Sequence, residues 1–164
     1  MSADRVVKTV VLKVPRERVW QAIVDSKRFG AWFGVELDGP FVAGKEITGR
    51  IVPTEADPDV AQQQEPYRGV PWRATVDRIE PMRLFSFYWH PYAVDPGADY
   101  SKEPMTLVTF ELEGTDGGVL LTITESGFDR IPADRRAKAF ESNEIGWGHQ
   151  TRLIEKYLAL AGQG

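Results

Sequence analysis

Two titratable side chains, Glu125 and His90, stand at the ends of apolar runs with a strand-like pattern. Glu125 belongs to the run VLLTITES, in which every second residue from Val119 onward is aliphatic. Side chains at alternate positions of a strand share one face, so Glu125 would face inward with them. A carboxyl group in apolar surroundings can act as an acid or a base, or it can hold a polar group of a ligand. The simpler interpretation is that Glu125 lies at the strand end and binds backbone groups or an arginine.

His90 follows Trp89 in the motif WHPY. Histidine is the usual general base near neutral pH. Alternation along the strand turns Phe87 and Trp89 inward and His90 outward, although a turn at Pro91 could redirect the imidazole. A solvated or turn-stabilising histidine is the simpler interpretation, and acid/base chemistry is the alternative.

Large apolar side chains are the other candidates for binding a ligand. Core packing explains most of them, and those near a cavity mouth, Trp89 and Trp147, are the expected ligand contacts. The full set of predicted ligand-binding residues is Glu125, Trp147, Trp89, Phe87, Phe110, Ile154, Thr151, Tyr92 and His90. No residue is predicted to be catalytic or to bind a metal, and no cofactor is expected.

A long C-terminal helix must position several of these side chains. In the stretch Pro132–Ala161, Trp147, Ile154 and Leu158 fall three, four or seven residues apart, so they share one helical face. Charged residues lie mostly on the opposite face. The pattern predicts an amphipathic helix that packs its apolar side on the concave face of a sheet.

Two further features of this helix can be predicted. Leu153 and Leu160 widen the apolar face. Gly146 and Gly148 flank Trp147, and each glycine costs about 1 kcal/mol relative to alanine inside a helix. We therefore expect a bend or a break at this position, which would form either a packing device or the rim of a cavity.

The preceding chain has mostly strand-like patterns. Strands are predicted at Arg5–Val14, Val35–Leu37, Lys45–Val52, Trp72–Glu80, Arg83–His90, Met105–Glu113 and Val119–Ser126, and two short helices at Pro15–Val24 and Ser26–Trp32. Pro53–Pro71 and Pro91–Pro104 have no hydrophobic period and are predicted to be surface loops; a lid over a cavity is the alternative for the first. A bent antiparallel sheet of about six or seven strands around one helix tends to leave a cavity, and such cavities are typical small-molecule sites.

The composition bounds the function. The chain has 164 residues, of which 42% are hydrophobic and 27% charged, as expected for one globular domain over residues 1–164. The net charge of −4 argues against a nucleic-acid binder. There is no cysteine, which excludes disulfides and thiolate metal sites, and only two histidines are present. With neither a signal segment nor a membrane span in the sequence, we expect a cytoplasmic protein.

Four segments in order resemble a known family. They are VPRERVWQAIVDSKRFGAWF, GPFVAGKEITGRI, ESGF and the GW of the last helix. The set resembles the START-like superfamily, also called SRPBCC or birch-pollen-allergen-like, and within it the bacterial branch grouped with the activator of heat-shock-protein-90 ATPase homologues. The resemblance extends from about Val6 to Leu160. It implies an α+β helix-grip fold, in which a curved antiparallel sheet holds a long C-terminal helix, and a cavity that often binds an apolar ligand.

Three functions are compatible with these observations. The leading hypothesis is a protein that binds a small hydrophobic or amphipathic molecule, such as a lipid or a polyketide-like metabolite, as a monomer or homodimer. The second is an enzyme that cyclises, dehydrates or hydrolyses such a molecule, with Glu125 or His90 as acid/base. The third is an interaction module acting on a chaperone. The first two need an open cavity, whereas a cavity collapsed by aromatic side chains would favour the third.

Overall fold

A seven-stranded antiparallel sheet forms the framework of the protein. The computed structural model describes residues 5–91, 99–100 and 102–161. The strands are β1 (Arg5–Leu12), β2 (Val35–Leu37), β3 (Glu46–Ile51), β4 (Pro71–Glu80), β5 (Leu84–Trp89), β6 (Thr106–Thr115) and β7 (Gly118–Ser126). Their order across the sheet is β1-β7-β6-β5-β4-β3-β2. Strands β2 to β7 therefore follow one another as a meander, and β1 joins the far side by pairing with β7. The predicted strands are confirmed, with ends that differ by a residue or two.

Four α-helices lie within the described residues and complete the fold. They are α1 (Arg16–Val24), α2 (Ser26–Phe33), α3 (Pro58–Gln64) and α4 (Ala133–Ala161). The side chain of Asp25 caps α2 by accepting hydrogen bonds from the backbone N–H groups of Lys27 and Arg28. Gly34 ends α2 in the left-handed conformation, with a φ of 96° that favours glycine. The chain therefore turns directly after Phe33, the last residue of α2, whose side chain is buried in the core.

Helix α4 packs on the concave face of the sheet, which confirms the predicted helix-grip arrangement. Trp147, Ile154 and Leu158 are buried on the predicted face, and Leu153 is buried beside them. Leu160 does not belong to this face, since 62% of it is exposed. Of the expected bend or break at the two glycines, the break is wrong, because α4 is one continuous helix from Ala133 to Ala161; a bend stays a prediction. The tertiary burial around Trp147 outweighs the intrinsic cost of its glycine neighbours.

The segment Pro53–Pro71 is not the irregular loop that its composition predicts. It contains α3, which is capped by the side chain of Asp57 through the N–H groups of Asp59 and Val60, and Pro58 occupies the first turn. A short 3₁₀ turn, Glu65–Tyr67, follows it. The local Asp-Pro signal therefore outweighed the absence of a hydrophobic period. The second predicted loop, Pro91–Pro104, lies largely outside the described residues.

The segment with α3 is fixed to the end of α2 by hydrogen bonds. The hydroxyl of Thr54 donates to the carbonyl of Trp32 at 2.8 Å, and the amide of Thr54 donates to Oε1 of Gln64 at 2.7 Å. Nε2 of Gln64 also lies 3.4 Å from the carbonyl of Phe33. The ammonium of Lys156 in α4 pairs with the carboxylate of Asp57. Helix α3 is thus connected both to α2 and to α4.

Aromatic side chains fill the space between the sheet and α4. The cluster consists of Phe29, Trp32, Phe33, Phe41, Trp72, Phe85, Phe87, Trp89, Phe110 and Trp147, and each ring lies within 6.4 Å of at least one other, centroid to centroid. Rings at this spacing contribute about 0.5–1.5 kcal/mol per pair beyond the burial of their area. Much of the interior that the fold could leave open is therefore occupied by the protein's own rings.

Candidate functional site

Glu125 is a fully buried carboxylate at the centre of the site. It lies on β7 between the buried residues Val6 of β1 and Val108 of β6, and its exposed fraction is 0%. Oε2 accepts hydrogen bonds from the Trp89 indole at 2.7 Å and the Thr106 hydroxyl at 2.5 Å. Oε1 accepts from the Asn143 amide and the Trp147 indole, both at 2.8 Å. The inward orientation predicted from the alternation is therefore present. The donors are neutral side chains, not the backbone groups or arginine of the simpler interpretation.

The four donors come from three separate elements. Trp89 ends β5, Thr106 begins β6, and Asn143 and Trp147 lie one turn apart on α4. The two indoles and the amide nitrogen can only donate, which suits an acceptor-only carboxylate. Among the described residues, no lysine or arginine forms an ion pair with Glu125. The group thus joins the sheet to α4 through neutral partners, and it would have to give up one of these hydrogen bonds before it could act as a base.

A small pocket lies next to this carboxylate. Its volume is about 80 Å³, and its lining consists of Phe33, Trp89, Asn143, Gly146, Trp147 and Gln150. Four of these residues form a stripe along α4 at spacings of three, one and three residues, which places them on one helical face. The missing side chain of Gly146 leaves room beside the indole of Trp147. Most of the lining is apolar carbon from the three aromatic rings.

The aromatic rings of the lining are in mutual contact. The ring centroids of Trp89 and Trp147 are 5.7 Å apart, and those of Phe33 and Trp147 are 5.9 Å apart. The Phe33 and Trp89 centroids are separated by 6.2 Å. Behind them the packed rings of the core continue. The pocket is therefore shallow, and its aromatic walls are supported from behind.

Gln150 contributes a polar side chain to the pocket lining, and one of its two polar atoms accepts no hydrogen bond from the described residues. Its Nε2 donates to the carbonyl of Phe33 at 3.1 Å, which fixes the orientation of the side-chain amide. Its Oε1 is buried and has no hydrogen-bond partner among the described residues. Leaving a buried acceptor unpaired costs about 1–3 kcal/mol. Gln150 thus combines a position in the pocket lining with a buried acceptor that no described residue satisfies.

The structure brings together only some of the residues predicted to bind a ligand. Trp89 and Trp147 line the pocket, with Glu125 directly behind them. Phe87, Phe110 and Ile154 are buried in the core and do not line this pocket. Thr151 is half-buried and donates its hydroxyl to the carbonyl of Gly148 in its own helix.

Of the two remaining predicted residues, His90 directly follows the end of β5. Nε2 of His90 is 3.0 Å from the carbonyl oxygen of Glu103, so the imidazole connects the end of β5 to the segment before β6. This contact agrees with the simpler, turn-stabilising interpretation of the histidine. Tyr92 lies outside the described residues. For all nine residues, a direct contact with a ligand stays a prediction.

Three lining residues were missed by reasoning from the sequence: Phe33, Asn143 and Gln150. Gly146 was predicted as part of a packing device or of a cavity rim. Asn143 and Gln150 were detectable, because they lie four residues before and three residues after Trp147 and so share its helical face. Phe33 gave no such signal. Its position depends on how the end of α2 packs against α4, and that contact joins parts of the chain more than a hundred residues apart.

Comparison with known proteins gives a family and a fold. Residues 13–159 match the family described as Activator of Hsp90 ATPase homolog 1-like protein. No curated protein matches the chain. Among the described residues, no helix is both long and apolar enough to cross a membrane.

Several solved structures share this fold. DynU16, a protein in the dynemicin biosynthetic locus whose crystal structure is known, is 23% identical to this chain, with a TM-score of 0.66. The match covers 95% of this chain and 47% of DynU16, so the chain spans about half the length of that protein. Protein MLL2253 from Mesorhizobium loti is 22% identical with a TM-score of 0.68, and the match covers 94% and 96% of the two chains. The Aha1 dimer from Colwellia psychrerythraea is 14% identical with a TM-score of 0.66, covering 94% and 95%.

Proposed function

Because the chain belongs to the family of Activator of Hsp90 ATPase homolog 1-like proteins, we propose that it is a helix-grip protein that binds a small amphipathic molecule beside Trp147. The observation that supports the proposal best is the buried, unpartnered Oε1 of Gln150 at the edge of an aromatic pocket. An apolar part of the ligand would lie against the rings of Trp89 and Trp147. A donor group on the same ligand would satisfy Gln150.

The size of the pocket limits the ligand. Pockets that enclose a drug-sized molecule measure about 300–1,000 Å³, whereas this one measures about 80 Å³. It would hold one compact group of a ligand while the remainder stays outside. Burying apolar surface contributes about 25 cal/mol per Å², so a group that buries roughly 100 Å² would contribute about 2.5 kcal/mol. We therefore expect weak binding unless Phe33 or Trp89 moves to enlarge the site. The proposed location is the one that the sequence predicts, the cytoplasm.

The test is the uptake of an apolar fluorescent probe by the wild-type protein and by Gln150→Leu. The probe should carry an amide N–H, so that it can use the acceptor of Gln150. Gln63→Leu, at an exposed position of α3, is the matched control. The proposal expects saturable uptake that Gln150→Leu weakens and Gln63→Leu does not. A folded protein that takes up no probe would contradict the proposal.

Interaction with a chaperone is the second candidate, and the filled interior favours it. Among the described residues, aromatic rings in mutual contact occupy much of the grip, which is the arrangement expected of an interaction module. The structure of the Aha1 dimer shares the fold of this chain, and the family name refers to activation of the Hsp90 ATPase. Purified Hsp90 whose ATPase rate rises on addition of this protein would support this candidate. An unchanged rate together with probe uptake would leave ligand binding as the function.

A further inference from the structure

Resting on the proposed function, we infer that the group held in the pocket is a small organic cation, an ammonium that carries alkyl substituents. The inference depends on the sign of the charge around the pocket. None of the six lining residues carries a positive charge, and the three aromatic side chains provide ring surfaces. Ring faces attract cations, with a contribution of about 0.5–2 kcal/mol that grows as water is excluded.

The Glu125 carboxylate lies immediately behind the wall of the pocket. Three of the lining side chains, Trp89, Asn143 and Trp147, donate hydrogen bonds directly to it. Its partners are all neutral, and within the described part of the chain it forms no ion pair. A carboxylate that meets no counter-ion in the described part of the chain makes the adjacent space favourable for a cation. Its hydrogen bonds also polarise both indoles, which strengthens the negative potential of their faces.

Two further groups at the pocket carry negative partial charge. Phe33 is the last residue of α2, and the C-terminal end of a helix carries a partial negative charge. Oε1 of Gln150 is an acceptor without a partner in the part of the chain that the structure describes. The carboxylate, the helix end and the amide oxygen therefore all favour positive charge. An anionic ligand would meet three repulsive groups.

The volume matches a compact cationic group. With a volume of about 80 Å³, well below the roughly 300–1,000 Å³ of a pocket for a drug-sized molecule, the pocket holds one compact group. A trimethylammonium group is compact, and its methyl groups can contact aromatic carbon. It has no N–H with which to hydrogen-bond Gln150, but a hydroxyl elsewhere on the same ligand can supply that donor.

The test compares three ligands of the same shape and different charge on the full chain. Choline carries a positive charge, 3,3-dimethylbutan-1-ol replaces its nitrogen by carbon, and 3,3-dimethylbutanoate is an anion. Binding is measured by tryptophan fluorescence and by ligand-observed NMR. We expect choline to bind about tenfold more tightly than the neutral alcohol, and the anion to bind least. Equal affinity of choline and the alcohol would overturn the inference while the proposed function stands. If neither choline nor the alcohol binds and the apolar probe is also not taken up, the inference and the proposed function are both wrong.

Two variants locate the origin of the preference. Glu125→Gln removes the charge behind the wall, and Glu144→Gln removes an exposed charge from the next position after Asn143 on α4. The inference expects Glu125→Gln to reduce the ratio of choline to alcohol affinity to near one and Glu144→Gln to leave that ratio unchanged. A preference that survives in folded Glu125→Gln, or that disappears in Glu144→Gln, would overturn it. Should Glu125→Gln not fold, the comparison of the three ligands on the wild-type protein still decides.

Discussion

The indole N–H of Trp147 donates to Oε1 of Glu125 over 2.8 Å, and this contact joins the middle of α4 to β7 inside an otherwise apolar interior. Asn143, one turn earlier on the helix, donates to the same oxygen. Two donors on one helical face fix the rotation of α4 about its axis, which apolar packing alone would specify less strictly. The carboxylate therefore determines which side chains of α4 face the pocket.

Replacing Glu125 by glutamine should destabilise the protein by about 1–3 kcal/mol. The new amide places two N–H donors where four donors already converge, so at least one indole N–H loses its acceptor. Urea unfolding followed by circular dichroism measures the change. Glu144→Gln is the control, and we expect it to stay within about 0.5 kcal/mol of the wild type. An unchanged midpoint for Glu125→Gln would mean that the hydrogen bonds to this carboxylate are not needed for folding.

Leu158→Asp should unfold the protein or destabilise it by more than about 3 kcal/mol, because a charge would be buried without a partner. Leu158 is 3% exposed. Leu160→Asp, two residues further along α4, is a matched control, since 62% of Leu160 is exposed. Thermal unfolding of both variants distinguishes them. Equal melting temperatures would contradict the observed orientation of the helix.

Gly146→Ala should stabilise the protein and weaken ligand binding at the same time. An added Cβ would meet no atom within 4 Å, and alanine gains about 1 kcal/mol over glycine inside a helix. The same methyl group would narrow the pocket that Gly146 lines. Gly148→Ala should give the same stabilisation without the loss of binding, because its Cβ is equally free and Gly148 does not line the pocket. Equal probe uptake by both variants would argue against binding at this pocket.

The ion pair between Asp57 and Lys156 should make part of the stability depend on pH. The hydrogen bond from the Lys156 ammonium, together with those from backbone N–H groups, lowers the pKa of Asp57 below its usual value of 3.8. A pKa lowered by folding contributes stability that is present above the unfolded value and is lost as the pH falls through the folded value.

The measurement compares the wild type with Asp57→Asn, because asparagine also caps helices but cannot pair with the lysine. We expect the difference in unfolding free energy to be constant between pH 5 and 7 and to shrink below about pH 4. Lys156→Gln should show the same pH profile. If the difference in unfolding free energy grew as the pH fell, folding would raise the pKa of Asp57 instead of lowering it.

The fold could be predicted from the sequence because its signals are local. The helical period of the apolar residues in α4 predicted the long helix. The alternation in VLLTITES predicted which side of β7 faces inward. Both patterns depend on residues only a few positions apart. The Asp-Pro start of α3 was an equally local signal, but its lack of a hydrophobic period concealed it. The glycine pair suggested a break that tertiary packing overrides. The spacing of apolar residues predicted that Leu160 would be buried together with Leu153, seven residues earlier. Leu160 is exposed instead, because this end of α4 extends beyond the surface that buries Leu153.

The site could be predicted only in part. The inward side chain of Glu125 was predictable, because it alternates with Val119, Leu121 and Ile123 along the strand. The convergence of four donors on one carboxylate depends on the ends of β5 and β6 meeting α4, which no spacing in the sequence encodes. The unpartnered oxygen of Gln150 depends in turn on the carbonyl of Phe33. These contacts arise only in the assembled fold.

The pairing of β1 with β7 constrains how the protein reaches its native state during synthesis. Strand β1 can pair with β7 only after β7 has been synthesised, more than a hundred residues later, and α4 follows β7 in the chain. Until then the aromatic rings of α2, β4 and β5 have nothing to cover them. Contacts between residues distant in sequence dominate the folding of such a chain. They slow folding, and the intermediates expose apolar surface that makes them prone to aggregate. A chain of this design therefore exposes its aromatic rings for longer during synthesis than one whose strands all pair in sequence order.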